Sequence, residues 1–254
     1  MKIISRRTGR ILLFMNADEL IPAGSIYIPD ALPLLMERYS FSLPPNLSTP
    51  WNQVLEQGLK FELGKFKGRD NKDNLVEDLT VYNNGIVVTA ESTDIAQAFI
   101  DDLFEWGPEA IGLRVAKSAF AFRAFLSEIV VEFSSSVDGA VTQLTTLLDK
   151  FRSSLVRNYE AEFPAISVAA LKLDYERAIA PLAFQSLAVF NIERRLNHRF
   201  AENVYLCQAP LPTADHIEIL EQLEILLTAD MTDAVRIAKP GTLNRSQRRK
   251  RPRP

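Results

Sequence analysis

The chain has 254 residues, 47% hydrophobic and 24% charged, which suits one large or two small globular domains and excludes collagenous, disordered and low-complexity classes. Its longest purely apolar run, Ile11 to Met15, falls far short of the roughly 18 residues that a membrane-spanning helix needs. The formal net charge of −3 is unevenly spread: residues 236–254 hold eight of the 29 basic side chains and no acid, and the 21 basic residues left face 32 acids, a body of −11.

Arg10 to Met15 reads as a first strand and Ser25 to Pro29 as a short extended piece. Pro29 and Asp30 then open an amphipathic helix carrying Leu32, Leu35, Met36 and Tyr39 inward, with Pro33 in its first turn. Ser40 to Asn46 is a connector. Thr49 followed by Pro50 and Trp51 starts a brief helix ending near Gly58, because a hydroxyl caps the free amides and proline needs none. Lys60 to Phe66 reads as a strand, followed by a polar loop, Lys67 to Asn74. Two further strand-like runs, Leu79 to Val81 and Ile86 to Val88, are joined through Asn83, Asn84 and Gly85, residue types that accept the positive φ of tight turns, so a β-hairpin is expected. Ser92 or Thr93 caps a helix with Ile95, Phe99, Leu103 and Trp106 on its apolar face, which Gly107 and Pro108 should stop.

A second block begins near Val115. In Phe125 to Phe133 the residues Phe125, Ser127, Ile129, Val131 and Phe133 share one strand face. Asp138 caps a long helix to about Tyr159, and strands follow around Ile166 to Tyr175, Gln185 to Arg195 and Asn203 to Cys207. Thr213 caps a last helix through about Thr228, with Ile217, Leu220, Leu223 and Leu227 inward and Glu218, Glu221 and Glu224 elsewhere. Grouped strands with helices between them predict an α+β fold: mainly antiparallel sheet with helices packed on one side, in two packed halves, 1–114 and 115–235, followed by a disordered basic tail, 236–254. No period of 20 to 50 residues repeats, which sets solenoids and propellers aside.

No motif names a reaction. The ten glycines never fall as G-x-G-x-x-G, and Gly58 to Phe66 departs from a phosphate loop in spacing and in having Phe66 where a hydroxyl should bind magnesium. The two histidines, His198 and His216, are too far apart for the usual zinc spacings, and His216 falls in the first turn of what reads as a solvated helix. Ser134 to Ser136 reads as a loop. Cys207, the single cysteine, sits in a strand, where a buried thiol is inert. No catalytic residue, metal site or cofactor is therefore assigned. The lone cysteine and the acids Asp18 and Glu19 behind the basic start point to a cytoplasmic, soluble protein.

Three features stand out. At about 100° per residue, Asp102 falls near the axis of the stripe made by Ile95, Phe99 and Trp106, so it needs a partner such as the sheet edge or Arg123. Arg194, Arg195, His198 and Arg199 crowd into one polar stretch suited to anion contact. The tail residues Arg245, Arg248, Arg249, Lys250, Arg251 and Arg253 lack apolar periodicity and aromatic neighbours, so any nucleic-acid contact there would be to phosphate. The expected function is non-catalytic binding or assembly, with a protein partner or self-association. The alternatives are a nucleic-acid-associated protein using tail and arginine cluster together, or an enzyme with chemistry at Asp102 or Arg194. No membrane partner is expected.

Overall fold

The computed structural model describes residues 1–15, 28–45, 56–68, 72–115, 120–137, 153, 169–174 and 187–237. Eight strands form one antiparallel sheet: β1 (Lys2–Met15), β2 (Leu59–Lys67), β3 (Asp73–Tyr82), β4 (Gly85–Ala90), β5 (Phe120–Glu132), β6 (Ala170–Leu173), β7 (Phe190–Arg194) and β8 (Val204–Ala209). Three helices are described, α1 (Ile28–Tyr39), α2 (Thr93–Ala110) and α3 (Thr213–Ile237). This is the expected α+β fold. The alternation of β1 places Ile11, Leu13 and Met15 in the core under α2, and the same alternation on β5 sends Ile129 and Val131 into a second cluster under α3.

The strand order β2-β3-β4-β1-β5-β8-β7-β6 is palindromic about the β1–β5 junction. The register repeats position by position. Gly9, Arg10, Ile11, Leu12 and Leu13 face Ala90, Thr89, Val88, Val87 and Ile86 of β4. Ser127, Glu128, Ile129, Val130 and Val131 face Ala209, Gln208, Cys207, Leu206 and Tyr205 of β8. Outward from these, Leu79 pairs with Val88 and with Phe61, as Ile192 pairs with Cys207 and with Leu171. Gly9 and Ser127 pair with each other, so a local two-fold passes through them. It also relates the helix starts: Thr93 N–H donates to Thr213 Oγ1 (3.0 Å) and Thr213 N–H to Thr93 Oγ1 (2.7 Å), the two residues being 120 apart in sequence. The described residues thus hold an internal structural duplication.

Several expectations need correction. α2 runs to Ala110 instead of ending at Gly107 and Pro108. Its carbonyl at Gly107 accepts from Ile111 and Leu113 N–H, and a Cβ on Gly107 would lie 2.4 Å from the Leu113 side chain, so the glycine admits a packing contact and the helix continues past it. α1 begins at Ile28, inside the segment read as extended, and Pro33 lies within it. The β3–β4 hairpin is present with the two-residue turn Asn83–Asn84, but none of Asn83, Asn84 and Gly85 has positive φ. Gly85 is required for another reason: a Cβ there would stand 2.3 Å from the Leu13 carbonyl oxygen of β1. The helix expected from Asp138 and the start of the one near Thr49 lie outside the described residues, apart from helical Glu56–Gln57 before Gly58, whose φ is 93°.

Candidate functional site

Asp102 binds Arg38 on α1, not Arg123. The Arg38 guanidinium donates to both carboxylate oxygens, Nη2 to Oδ1 at 2.8 Å and Nε to Oδ2 at 3.2 Å, and Tyr39 O–H donates to Oδ2 at 2.8 Å. Arg123 instead donates to Gln97 Oε1 at 2.7 Å. Arg38 also lies 5.0 Å from the Trp106 ring centre, a cation–π contact that fixes its plane. Burial, then the Asp102 carboxylate, push the Tyr39 hydroxyl pKa upward, keeping it a donor. Asp102 does open onto a cleft: with Lys65, Lys67 and Asp73 it lines a hollow of about 380 Å³ between α1 and β2. Its carboxylate is thus already engaged by two donors that tie α1 to α2.

The arginine cluster is divided by the fold. Arg194, at the end of β7, is 8% exposed. Its Nη2 donates to Ser136 Oγ at 2.7 Å and its Nη1 to the Phe200 carbonyl at 3.1 Å, and its guanidinium lies 4.9 Å from both the Phe200 and Tyr205 rings. Arg195, His198 and Arg199 sit beyond it in the loop to β8, where His198 Nδ1 lies 2.7 Å from Glu202 Oε2. Arg199 is exposed, as is Leu196 at 97%. The structure therefore keeps three members of the group in one loop and turns the fourth inward. The tail residues Arg245 to Arg253 lie outside the described residues.

A further concavity was not anticipated. On the sheet face opposite the helices, β1, β2, β3 and β4 form a groove of about 750 Å³. Strand alternation puts Leu12, Phe14 and Val87 on its floor, while Arg10, Lys60, Asp78 and Tyr82 supply polar groups at its sides. Arg10 Nε donates to Thr89 Oγ1 at 3.2 Å and Thr80 Oγ1 to Asp78 Oδ1 at 3.4 Å. Lys60 is paired with Glu62, which raises its pKa. Beside the groove, burial and then the charge of Asp78 raise the Glu77 pKa, and the Arg10 charge opposes them. A groove of this size, with an apolar floor between polar walls, suits ligand or segment binding. The expected strand from Arg10 to Met15 carried no signal for it, since Arg10, Leu12 and Phe14 merely alternate with Ile11, Leu13 and Met15.

Two further side chains depart from expectation. His216 is not solvated: it is fully buried, with Nδ1 2.7 Å from Ser127 Oγ, and burial depresses its pKa to about 4. Glu224 is also buried, with Oε1 accepting from Ser134 N–H at 2.9 Å and the Met1 amino group at 3.0 Å. The reason lies in helix geometry, because His216, Leu220, Glu224 and Leu227 fall on one stripe of α3 at spacings of three and four. Cys207 is buried as expected, its thiol pKa pushed up to about 12, so it is a packing group and no nucleophile at neutral pH.

Among the described residues no group of His, Cys, Asp and Glu has metal-holding geometry, and no helix is long and apolar enough to cross a membrane. No protein-family model and no curated protein matches the chain.

Proposed function

We propose that this is a non-catalytic binding or assembly protein that holds its partner in the groove opposite the helices. The observation that carries this reading is the groove itself, about 750 Å³ with Leu12, Phe14 and Val87 beneath Arg10, Lys60, Asp78 and Tyr82. Its polar groups are oriented by neighbours within the sheet, so a ligand meets a preformed surface and loses little to reorganisation. The test begins with whatever species co-purifies at low salt. Its affinity, remeasured with purified components, should fall at least about tenfold for Arg10→Ala combined with Tyr82→Ala, because truncating central polar and aromatic anchors costs more than about 1.4 kcal/mol. Unchanged affinity would move the site elsewhere.

A second reading rests on the eight basic and no acidic residues of 236–254, which favour phosphate contact by the tail, joined by Arg195, His198 and Arg199. On that reading the chain binds random nucleic acid at about 50 mM salt, with log affinity falling steeply against log salt. Deleting residues 240–254 should remove most of this binding without regard to base sequence and leave folding nearly unchanged. Equal binding by the two forms would end it.

A further inference from the structure

We propose that the buried Ser127–His216 pair is a proton-operated latch that holds the first turn of α3 on the sheet where the two halves meet. At the equivalent positions in the first half stand Gly9, which pairs with Ser127, and Ala96, and neither has a side chain able to hydrogen-bond. A Cβ on Gly9 would stand 2.1 Å from Ser92 C and Thr93 N, so α2 begins directly on the β1 backbone. Ser127 carries a Cβ and a hydroxyl, which bars so close an approach by α3, and His216 fills the space between. The fold can therefore make this joint without an imidazole, as its first half does.

The imidazole also breaks a rule of buried polar groups. Both residues are 0% exposed, Nδ1 meets Ser127 Oγ at 2.7 Å, and among the described residues Nε2 has no hydrogen-bond partner. In the neutral ring that idle nitrogen is a modest cost. In the imidazolium it is a charged donor with nothing to receive it. Among the described residues the surroundings offer no compensation. β5 presents Ser127, β7 presents the Phe190 ring, edge-on at 5.7 Å between centres, and β8 presents the neutral Cys207 thiol on the same sheet face. From α2 comes Thr93, bonded to Thr213. The acids nearest in sequence to the two helix starts, Asp94 and Asp215, are exposed. His216 is moreover in the first turn of α3, and the α2 start lies against it, so the positive ends of two helix dipoles oppose a proton there. Protonation is relieved only when the first turn of α3 lifts and exposes Nε2 to water.

Hydrogen exchange on the intact chain between pH 7 and 4.5, corrected for intrinsic rates, tests this. Protection of the α3 start, residues 213–220, should fall by up to about tenfold per pH unit below about 6.5, because the open state takes up one proton more than the closed one. Protection of the α2 start, 93–100, should stay level. In His216→Ala, and in Ser127→Gly with His216→Ala, which reproduces the Gly9–Ala96 joint, the α3 start should become as flat with pH as α2. Equal pH dependence in wild type and variants, or parallel loss in α2 and α3, would overturn the latch. Should the variants not fold, the wild-type imidazole resonances decide: protonation of His216 while the α3 amides remain protected refutes the latch, and protonation coincident with their release supports it.

Discussion

The two halves share one backbone plan and fill it with different chemistry. Around α2 the core is aromatic: Tyr39, Phe41, Phe66 and Phe99 meet one another at 4.6 to 6.4 Å between ring centres, and Tyr39 adds Trp106. Around α3 the equivalent space holds Arg194, His216 and Glu224, and among the described residues the three buried polar atoms without partners, Asn191 Oδ1, His216 Nε2 and Glu224 Oε2, all belong to this second half. Register and strand order therefore do not demand a particular core. What differs is the response: one half should be sensitive to lost volume, the other to lost charge balance.

The largest expected effect tests the first half. Phe99 is 0% exposed and touches the Tyr39, Phe41 and Phe66 rings, so Phe99→Ala should cost about 3 to 5 kcal/mol in chemical denaturation. A loss under about 1 kcal/mol would show that the aromatic cluster is not the keystone of that half.

Acid should then separate the halves. His216 has a folded-state pKa near 4 against 6.5 free. It therefore binds its proton on unfolding, and its contribution is complete above pH 6.5 and lost as pH falls to about 4, roughly 3 kcal/mol. Glu224 is also depressed, by its bonds from Ser134 and the Met1 amine against the effect of burial, so its contribution is present above its usual 4.5 and disappears below it. Glu77 in the first half is shifted upward, and its sign is opposite: its ionisation above pH 4.5 weakens the fold, and acid relieves that. Urea midpoints against pH, with His216→Ala as the control, should show a fall below pH 6.5 that the variant lacks. A smaller effect is expected for Arg194→Met. Methionine keeps an apolar stem against Phe200 and Tyr205 but abandons Ser136 Oγ and the Phe200 carbonyl, at about 1 to 3 kcal/mol, and the loss should not depend on salt, as a surface charge would.

Local chemistry was legible where one residue type has one use. The Ser92 cap, whose Oγ accepts from Ile95 N–H, and the inward face of β5 follow from spacing and side-chain type, whereas the Asn83–Gly85 hairpin forms without the positive φ on which its expectation rested. The duplication was not legible, because equivalent positions differ in kind: Gly9 and Ser127, Arg10 and Glu128, Val81 and Arg194, Ala96 and His216. Only the hydrogen-bond register, a long-range property, reveals them. His216 and Glu224 stood at core spacing on α3, yet their polarity placed them outside. The partners that admit them, Ser127 and the Ser134 amide, come from elsewhere in the chain.

Asp102→Asn gives the smallest effect and, set beside Asp102→Ala, the sharpest distinction between a tether and a working carboxylate. The Asp102 side chain is 29% exposed and that of Arg38 37%, so water screens the pair, and most such ion pairs contribute about 1 kcal/mol or less. The bidentate geometry and the Trp106 ring favour the upper end of that range. Asp102→Asn keeps an oxygen for Tyr39 O–H but loses the charge and sets an NH2 donor where Arg38 Nη2 found an acceptor, whereas Asp102→Ala also leaves the hydroxyl of a fully buried Tyr39 without its acceptor. As a tether, Asp102 predicts that Asn costs about 0.5 to 1 kcal/mol and Ala about 1 to 3 kcal/mol more. Partner affinity in the groove across the sheet should be unchanged in both. Denaturation midpoints that match wild type, alongside abolished binding by the Asn variant, would make Asp102 a functional carboxylate and transfer interest from the groove to the cleft between α1 and β2.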